Sequence, residues 1–162
     1  GHNEAVKSTE KERIFAVNTE AARFFNKSLQ SSDVALGYIE NRELLPKTVT
    51  AFGLGYAPDS WNSLLNHLKT LGFSEDELYK AGLVSRKEGR VYDAFRNRII
   101  FPIIDLKGRI VGFGGRVLDD SKPKYLNSPE TPIFNKRRNL FNLDKARELL
   151  AELSALEDIR NL

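Results

Sequence analysis

Residues 95–118 read FRNRIIFPIIDLKGRIVGFGGRVL, and this stretch decides the fold. Arg98 to Ile104 and Arg109 to Leu118 are runs rich in β-branched and aromatic residues. Asp105-Leu106-Lys107-Gly108 between them has the chemistry of a tight turn. Two antiparallel strands joined as a hairpin follow, with Val91-Tyr92 as a further short strand after Gly89. Pro102 has no N–H to give to a ladder, so its strand is expected to be an edge strand or to bulge there.

Upstream, the periodicity is helical. Ala21, Phe24, Phe25 and Leu29 fall on one face of a helix that Asn18 or Thr19 can cap. Ser32 can cap a second helix that carries Leu36 and Ile39 to the same core. Pro46 suits the first turn of a short third one, with Val49 and Phe52. Gly53 and Gly55 then interrupt the pattern, and Ala57-Pro58 ends it. Trp61, Leu64, Leu65 and Leu68 form a helical stripe behind an Asp59/Ser60 cap, and Gly72 is placed for a left-handed stop. Ser74 and Glu77 have capping-box spacing, Phe73 and Leu78 the spacing of a hydrophobic staple, and the helix should end near Lys80, before Gly82. From Asp144, Ala146, Leu149, Leu150, Leu153 and Leu156 return to helical spacing. Helices followed by strands without βαβ alternation predict an α+β fold: a helical N-terminal half, then a small, mainly antiparallel curved sheet with a C-terminal helix.

Composition narrows the chemistry. The chain has 162 residues, no cysteine, no methionine and two histidines, His2 and His67. A disulfide framework, a thiol nucleophile and a cysteine-ligated zinc are excluded, and little is left for a histidine metal site. No apolar run approaches the roughly 20 residues of a bilayer-spanning helix, and the start lacks the layout of a secretory signal, so a cytoplasmic protein is expected. A Gly-His start without methionine suggests a tag remnant on a piece of a longer protein. The net charge of +3 is unevenly distributed. Arg86 to Arg138 holds 13 Lys/Arg against 6 Asp/Glu, a local +7, which leaves −4 for the remainder. A one-sided basic segment suits a phosphate polyanion, and equally a solvated basic surface.

Two stretches could carry chemistry. Gly112-Phe113-Gly114-Gly115-Arg116 is not a dinucleotide fingerprint, because the third glycine would fall at Val117 and a strand, not a helix, follows. Its plainer reading is a glycine-rich bulge that lets a curved strand pack under a helix. Lys122-Pro123-Lys124-Tyr125-Leu126-Asn127-Ser128-Pro129-Glu130-Thr131 sets cations, a ring, an amide and hydroxyls between prolines. It reads either as an ordinary stiff surface loop or as a phosphate- and base-binding one.

Phe95–Ile103, Gly108–Leu118 and Pro123–Thr131, in this order and spacing, closely resemble the catalytic core of bacterial DnaG-type DNA primases. Phe52-Gly53-Leu54-Gly55-Tyr56-Ala57-Pro58 and Leu140-Phe141-Asn142-Leu143 are similar to that family too, so the resemblance covers roughly residues 15–148. It implies the N-terminal subdomain of the RNA polymerase core of a replicative primase, a nucleotidyltransferase that copies single-stranded DNA into short RNA primers. The implied partners are single-stranded template, RNA primer–template and ribonucleoside triphosphates, with the replicative helicase engaged through regions not in this sequence. No membrane partner is implied. The family's basic groove falls on Arg42, Arg96, Arg98, Arg116 and Lys124, with Tyr125 and Asn127 beside it. Lys124 and Arg116 are the implied charge-stabilising catalytic residues. Where the family has an Arg-Gly-Leu turn, this chain has Arg42-Glu43-Leu44.

No metal ligand is implied in this chain. Mg2+ or Mn2+ belongs to an adjoining Toprim subdomain and Zn2+ to an N-terminal zinc module, and neither module is in the sequence. The chain alone is therefore expected to bind but not polymerise, in the cytoplasm at the replication fork. The expected organisation is a tag remnant and linker over 1–14, a helical part over 15–85, a basic sheet part over 86–148 and a helical tail over 149–162. Two further functions remain open on the residues alone: a single-strand-binding module without chemistry, and a small enzyme acting on a phosphate ligand.

Overall fold

Ile14, Val17, Ala21, Phe25 and Leu29 continue one apolar stripe along the N-terminal segment, and all five are buried. That stripe makes a single long helix, α1 (His2–Gln30), in the computed structural model, which describes residues 2–42, 53–138 and 148. The helix thus begins far before the expected Asn18/Thr19 cap and runs through the segment expected to be a remnant and linker. Asn18 sits inside it, fully buried, and its side-chain amide donates to the Ile110 carbonyl at 3.1 Å. Cap preference misled because a polar residue in mid-helix can satisfy itself on a neighbouring strand.

Helix α2 (Asp33–Asn41) starts at the expected Ser32, whose hydroxyl accepts from the Ala35 N–H at 3.1 Å. Ala35, Tyr38 and Ile39 are its buried face, while Leu36 is 41% exposed. The short helix expected around Pro46, Val49 and Phe52 and the helical tail from Asp144 lie outside the described residues. Helix α3 (Ser63–Thr70) buries Leu64, Leu65 and Leu68, but the expected first member of its stripe, Trp61, stands outside the helix, 64% exposed. Its N-cap is Asn62, which makes no capping bond of its own, in place of Asp59 or Ser60. Helix α4 (Glu75–Lys80) has the complete capping box of Ser74 and Glu77. Gly72 and Gly82 follow α3 and α4 with φ of +94° and +76°, where a side chain would be strained.

Gly55–Ala57, expected as an interruption, is strand β1, which pairs antiparallel with β4 (Arg98–Ile104). Strands β2 (Val84–Lys87) and β3 (Arg90–Asp93) form a separate hairpin. β5 (Ile110–Val117) pairs with β4 through the Asp105–Gly108 turn, and β6 (Tyr125–Asn127) closes the four-stranded sheet in the order β1-β4-β5-β6. Pro102 fits this order. β1 reaches only Arg98 to Ile100, so at Pro102 strand β4 has a partner on one side alone. The register shift falls nearby, between Ile103 and Ile104, and the glycines of β5 pair regularly rather than bulging.

Ile100 and Phe113 pack against α1, α3 and α4, and Leu126 packs on the same cluster, in which Phe25, Leu68, Leu78 and Phe95 are buried. Tyr56, Ile99 and Phe101 pack with Leu29 and the buried side of α2. The fold is α+β as expected, with the correction that the helical half donates one strand to the sheet. Among the described residues no helix is long and apolar enough to cross a membrane.

Helix α4 is tied back to α1. Arg13 donates through Nη2 to Glu77 Oε1 at 2.9 Å and through Nε to Oε2, and Lys80 lies 3.3 Å from Glu10. The Arg13 hydrogen bond is the main cause that holds the Glu77 carboxyl at about 2. A depressed carboxyl stabilises the fold above its unfolded value and loses that contribution as pH falls through the folded one. Stability against urea is therefore expected to fall as pH drops from about 4.5 to 2, and Arg13→Ala to flatten that fall. An identical slope in both proteins would contradict the assignment.

Candidate nucleic-acid interface

The register Ile99–Arg116–Tyr125 sets Arg116 and Tyr125 side by side on the sheet face that α2 covers. Arg116 is 3% exposed and donates to the Val117 carbonyl. Its guanidinium carbon lies 5.9 Å from the Tyr38 ring centre and 5.8 Å from that of Tyr125. Arg42, the C-cap of α2, stacks on the other ring: its guanidinium carbon is 3.3 Å from the Tyr38 centre, and Nη1 donates to the Tyr38 carbonyl at 3.3 Å. Lys124 Nζ is 5.7 Å from the Tyr125 ring. Three of the sequence-derived cations therefore meet on two tyrosines. Tyr38 was missed; its spacing of four from Arg42 on a helix was the available signal.

Asn127 follows on the same face of β6, opposite Gly114. A Cβ on Gly114 would stand 2.9 Å from the Phe101 ring and 3.1 Å from Asn127 Oδ1. The glycine run is thus strand packing that makes room for neighbouring side chains, not a loop around a phosphate. This removes the feature on which a small phosphate-ligand enzyme rested. Asn127 also lines an open cleft of about 730 Å3 whose walls carry Lys80, Arg86 and Lys136.

Arg96 and Arg98 part company. Arg98 lies on the opposite sheet face, 5% exposed, and donates to three carbonyls: Pro123 at 2.6 Å, Lys124 at 3.2 Å and Gly115 at 3.3 Å. Burial lowers its pKa, and the charges of Arg96 and Arg116 lower it further against the opposing pull of Asp119. Its guanidinium fastens the loop that carries Lys124, at a position where the family resemblance implies a groove contact. Arg96 is half-buried, with its guanidinium carbon 4.3 Å from the Trp61 ring centre and 5.3 Å from that of Tyr92. Trp61 and Tyr92 themselves meet edge to face at 5.4 Å. An open cleft of about 650 Å3 adjoins them, with Lys87 and Arg90 on its wall. Trp61 and Tyr92 form a second aromatic pair, which sequence reasoning also missed, since a tryptophan at helical spacing reads as core.

Asn97 separates the two arginines, with φ of +51°, a conformation asparagine tolerates better than most residues. The Tyr56 hydroxyl donates to its Oδ1 at 2.8 Å, and its Nδ2 donates to Asp119 Oδ2 at 3.1 Å. Burial, then Asp59 and Asp119, push the Tyr56 phenol upward. Asp119 also accepts from the Ser121 N–H at 2.7 Å, so it caps its own loop. Among the described residues no three acidic, histidine or cysteine side chains converge as a metal site.

Comparison with known proteins agrees with this geometry. The family described as "DNA primase catalytic core, N-terminal domain" matches residues 24–147. The DNA primase of Clostridium acetobutylicum is 53% identical over 135 residues, 83% of this chain and 23% of that protein. That of Deinococcus radiodurans is 52% identical over 149 residues, 89% of this chain and 26% of that protein. The chain thus spans about a quarter of the length of these relatives. A DnaG primase catalytic domain solved bound to single-stranded DNA superposes with a TM-score of 0.76 at 38% identity, covering 80% of this chain and 43% of that one. The RNA polymerase domain of Mycobacterium tuberculosis DnaG, solved with double-stranded DNA, gives 0.71 at 38% identity, covering 77% and 41%. Motif order, fold and identity thus agree, and the chain belongs to the DnaG-type bacterial primases as an N-terminal domain of their catalytic core.

Proposed function

We propose that this chain is the template- and nucleotide-binding subdomain of a bacterial replicative primase, which makes short RNA primers on single-stranded DNA. The observation that carries the reading is the convergence of Arg42, Arg116 and Lys124 on Tyr38 and Tyr125. Cations interleaved with rings hold phosphates and stack bases without demanding one sequence. Lys124, at the rim, reaches template phosphate or the triphosphate of an incoming nucleotide. Arg116, nearly enclosed by the tyrosines, adds positive potential beneath them and offsets the charge that would repel a second polyanion. Trp61 and Arg96 form a second stacking platform beside the cleft of the β2–β3 hairpin, whose wall carries Lys87, Glu88 and Arg90. The cleft that Asn127 lines, with Lys80, Arg86, Lys136 and Glu130 on its walls, offers a separate cationic surface.

Mg2+ or Mn2+, held by a Toprim subdomain outside this chain, would neutralise the triphosphate and activate the primer 3′-hydroxyl. This chain's residues bind and orient the polyanions. Contact with the replicative helicase and a Zn2+ module belong to other parts of the full protein, which works in the cytoplasm at the replication fork.

The test is titration of single-stranded DNA against the chain and its Lys124→Ala and Trp61→Ala variants at several salt concentrations. Trp61→Ala should weaken binding roughly tenfold, as loss of a base-stacking contact does. Lys124→Ala should weaken it and flatten the salt slope by about one counterion. An affinity indifferent to salt would refute the basic-groove reading. In the full-length primase, Lys124→Ala with reduced DNA binding but unchanged primer synthesis would reassign the groove to binding alone.

A further inference from the structure

The Trp61–Arg96 platform draws its two members from different elements, and one residue touches both. Asp93, the last residue of β3, is 2% exposed. Its Oδ2 accepts from the Leu64 N–H and its Oδ1 from the Leu65 N–H, each at 2.9 Å. These are first-turn amides of α3, whose own N-cap residue, Asn62, supplies no bond. A carboxylate from 28 residues downstream thus replaces the missing cap. The backbone of Asp93 completes the link: its N–H donates to the Trp61 carbonyl at 2.7 Å, and its own carbonyl accepts from Arg96 Nη1 at 2.6 Å.

Trp61 has no comparable anchor in the core, since its ring is mostly exposed. The angle at which the chain enters α3, and with it the indole plane, is set where the helix start is fastened. Arg96 leaves the same residue three positions later and returns to its carbonyl, so the 4.3 Å stack is closed through Asp93. Burial raises the carboxyl pKa, while the helix amides and Arg96 lower it, as expected of a desolvated group in use as an acceptor.

We propose that Asp93 is a positioning residue that fixes the gap and orientation between Trp61 and Arg96, and so presents the indole face to a nucleobase. The proposal rests on the reading of that platform as a nucleic-acid contact. Asp93→Asn keeps the size and one acceptor but turns an NH2 toward a helix amide, which breaks one of the two bonds.

Trp61 is the sole tryptophan of the chain, so its fluorescence reports the platform directly. In Asp93→Asn the emission should shift to the red, and quenching by a single-stranded oligodeoxythymidylate should require on the order of fivefold more DNA, the low end for a weakened stacking contact. Leu68→Ala, which empties a fully buried position of α3 away from the platform, is the control for stability. It should lower the melting temperature at least as much and leave emission and quenching as in the parent.

Unchanged emission and affinity in Asp93→Asn would overturn the proposal, as would the same red shift in Leu68→Ala. Trp61→Ala and Arg96→Ala separate the two layers. If both retain full DNA affinity, the platform is not a nucleic-acid contact, and the fluorescence comparison still decides whether Asp93 positions Trp61.

Discussion

Replacing Arg98 with alanine is expected to lower the melting temperature by roughly 10 °C, the shift that about 3 kcal/mol produces in a domain of this size. Three backbone carbonyls lose a charged donor at once, and two of them, on Pro123 and Lys124, belong to the loop before β6. The Lys124 carbonyl keeps the Val117 N–H and that of Gly115 its ladder pairing with Leu126, but the Pro123 carbonyl loses its short charged bond, and the space of a buried guanidinium is left empty beneath the loop. The loop then loosens from β4, and Lys124 and Tyr125 move with it. DNA affinity should therefore fall although Arg98 touches no ligand. Arg98→Lys should recover little of either loss, because an ammonium cannot span three carbonyls as a planar fork does. A thermal melt with DNA titration checks both effects; an affinity loss without a stability loss would return Arg98 to the groove.

Gly55→Ala should be at least as damaging, about 3 kcal/mol or more, because the obstacle is main chain. An added Cβ would lie 2.6 Å from Phe25 Cβ, 2.7 Å from the Phe25 carbonyl carbon and 2.9 Å from its oxygen. No rotamer relieves a clash with a helix backbone. Helix α1 would have to lift off β1, and the stripe from Ile14 to Leu29 is packed on that contact. Gly37→Ala is the matched control: in the interior of α2 with nothing within 4 Å, it should stabilise by about 0.5 kcal/mol or more. Chemical denaturation of both variants decides the matter, and a well-folded Gly55→Ala protein of parental stability would show that α1 does not sit hard on β1.

These two positions also mark where sequence reasoning stopped. Local signals were legible: the Ser74–Glu77 capping box, the Gly72 stop and the Asp105–Gly108 hairpin all formed, the last with Asp105 Oδ1 accepting from the Lys107 and Arg109 amides. Strand β1 was illegible because three residues show no alternation and their partner lies more than forty positions away. Arg96 and Arg98 looked alike in sequence, and the left-handed turn at Asn97 between them sends one to the aromatic platform and the other under the sheet. Trp61 sat at helical spacing, but its helix begins two residues later because the capping carboxylate comes from β3. Lys124, Tyr125 and Arg42 were named through the family motifs, and only the fold brings them together around Tyr38 and Arg116.

The strand lent by the helical half has a consequence for how the molecule assembles. β1 meets β4 across roughly forty residues, and Asn18 of α1 reaches Ile110 across 92. Neither half can complete its core before such distant segments find each other, so loop closure precedes most of the stabilising burial. Refolding should accordingly run at the pace of mixed α/β domains, slower than a helical bundle of the same length, with the docking of α1 across the sheet as the step that commits the chain.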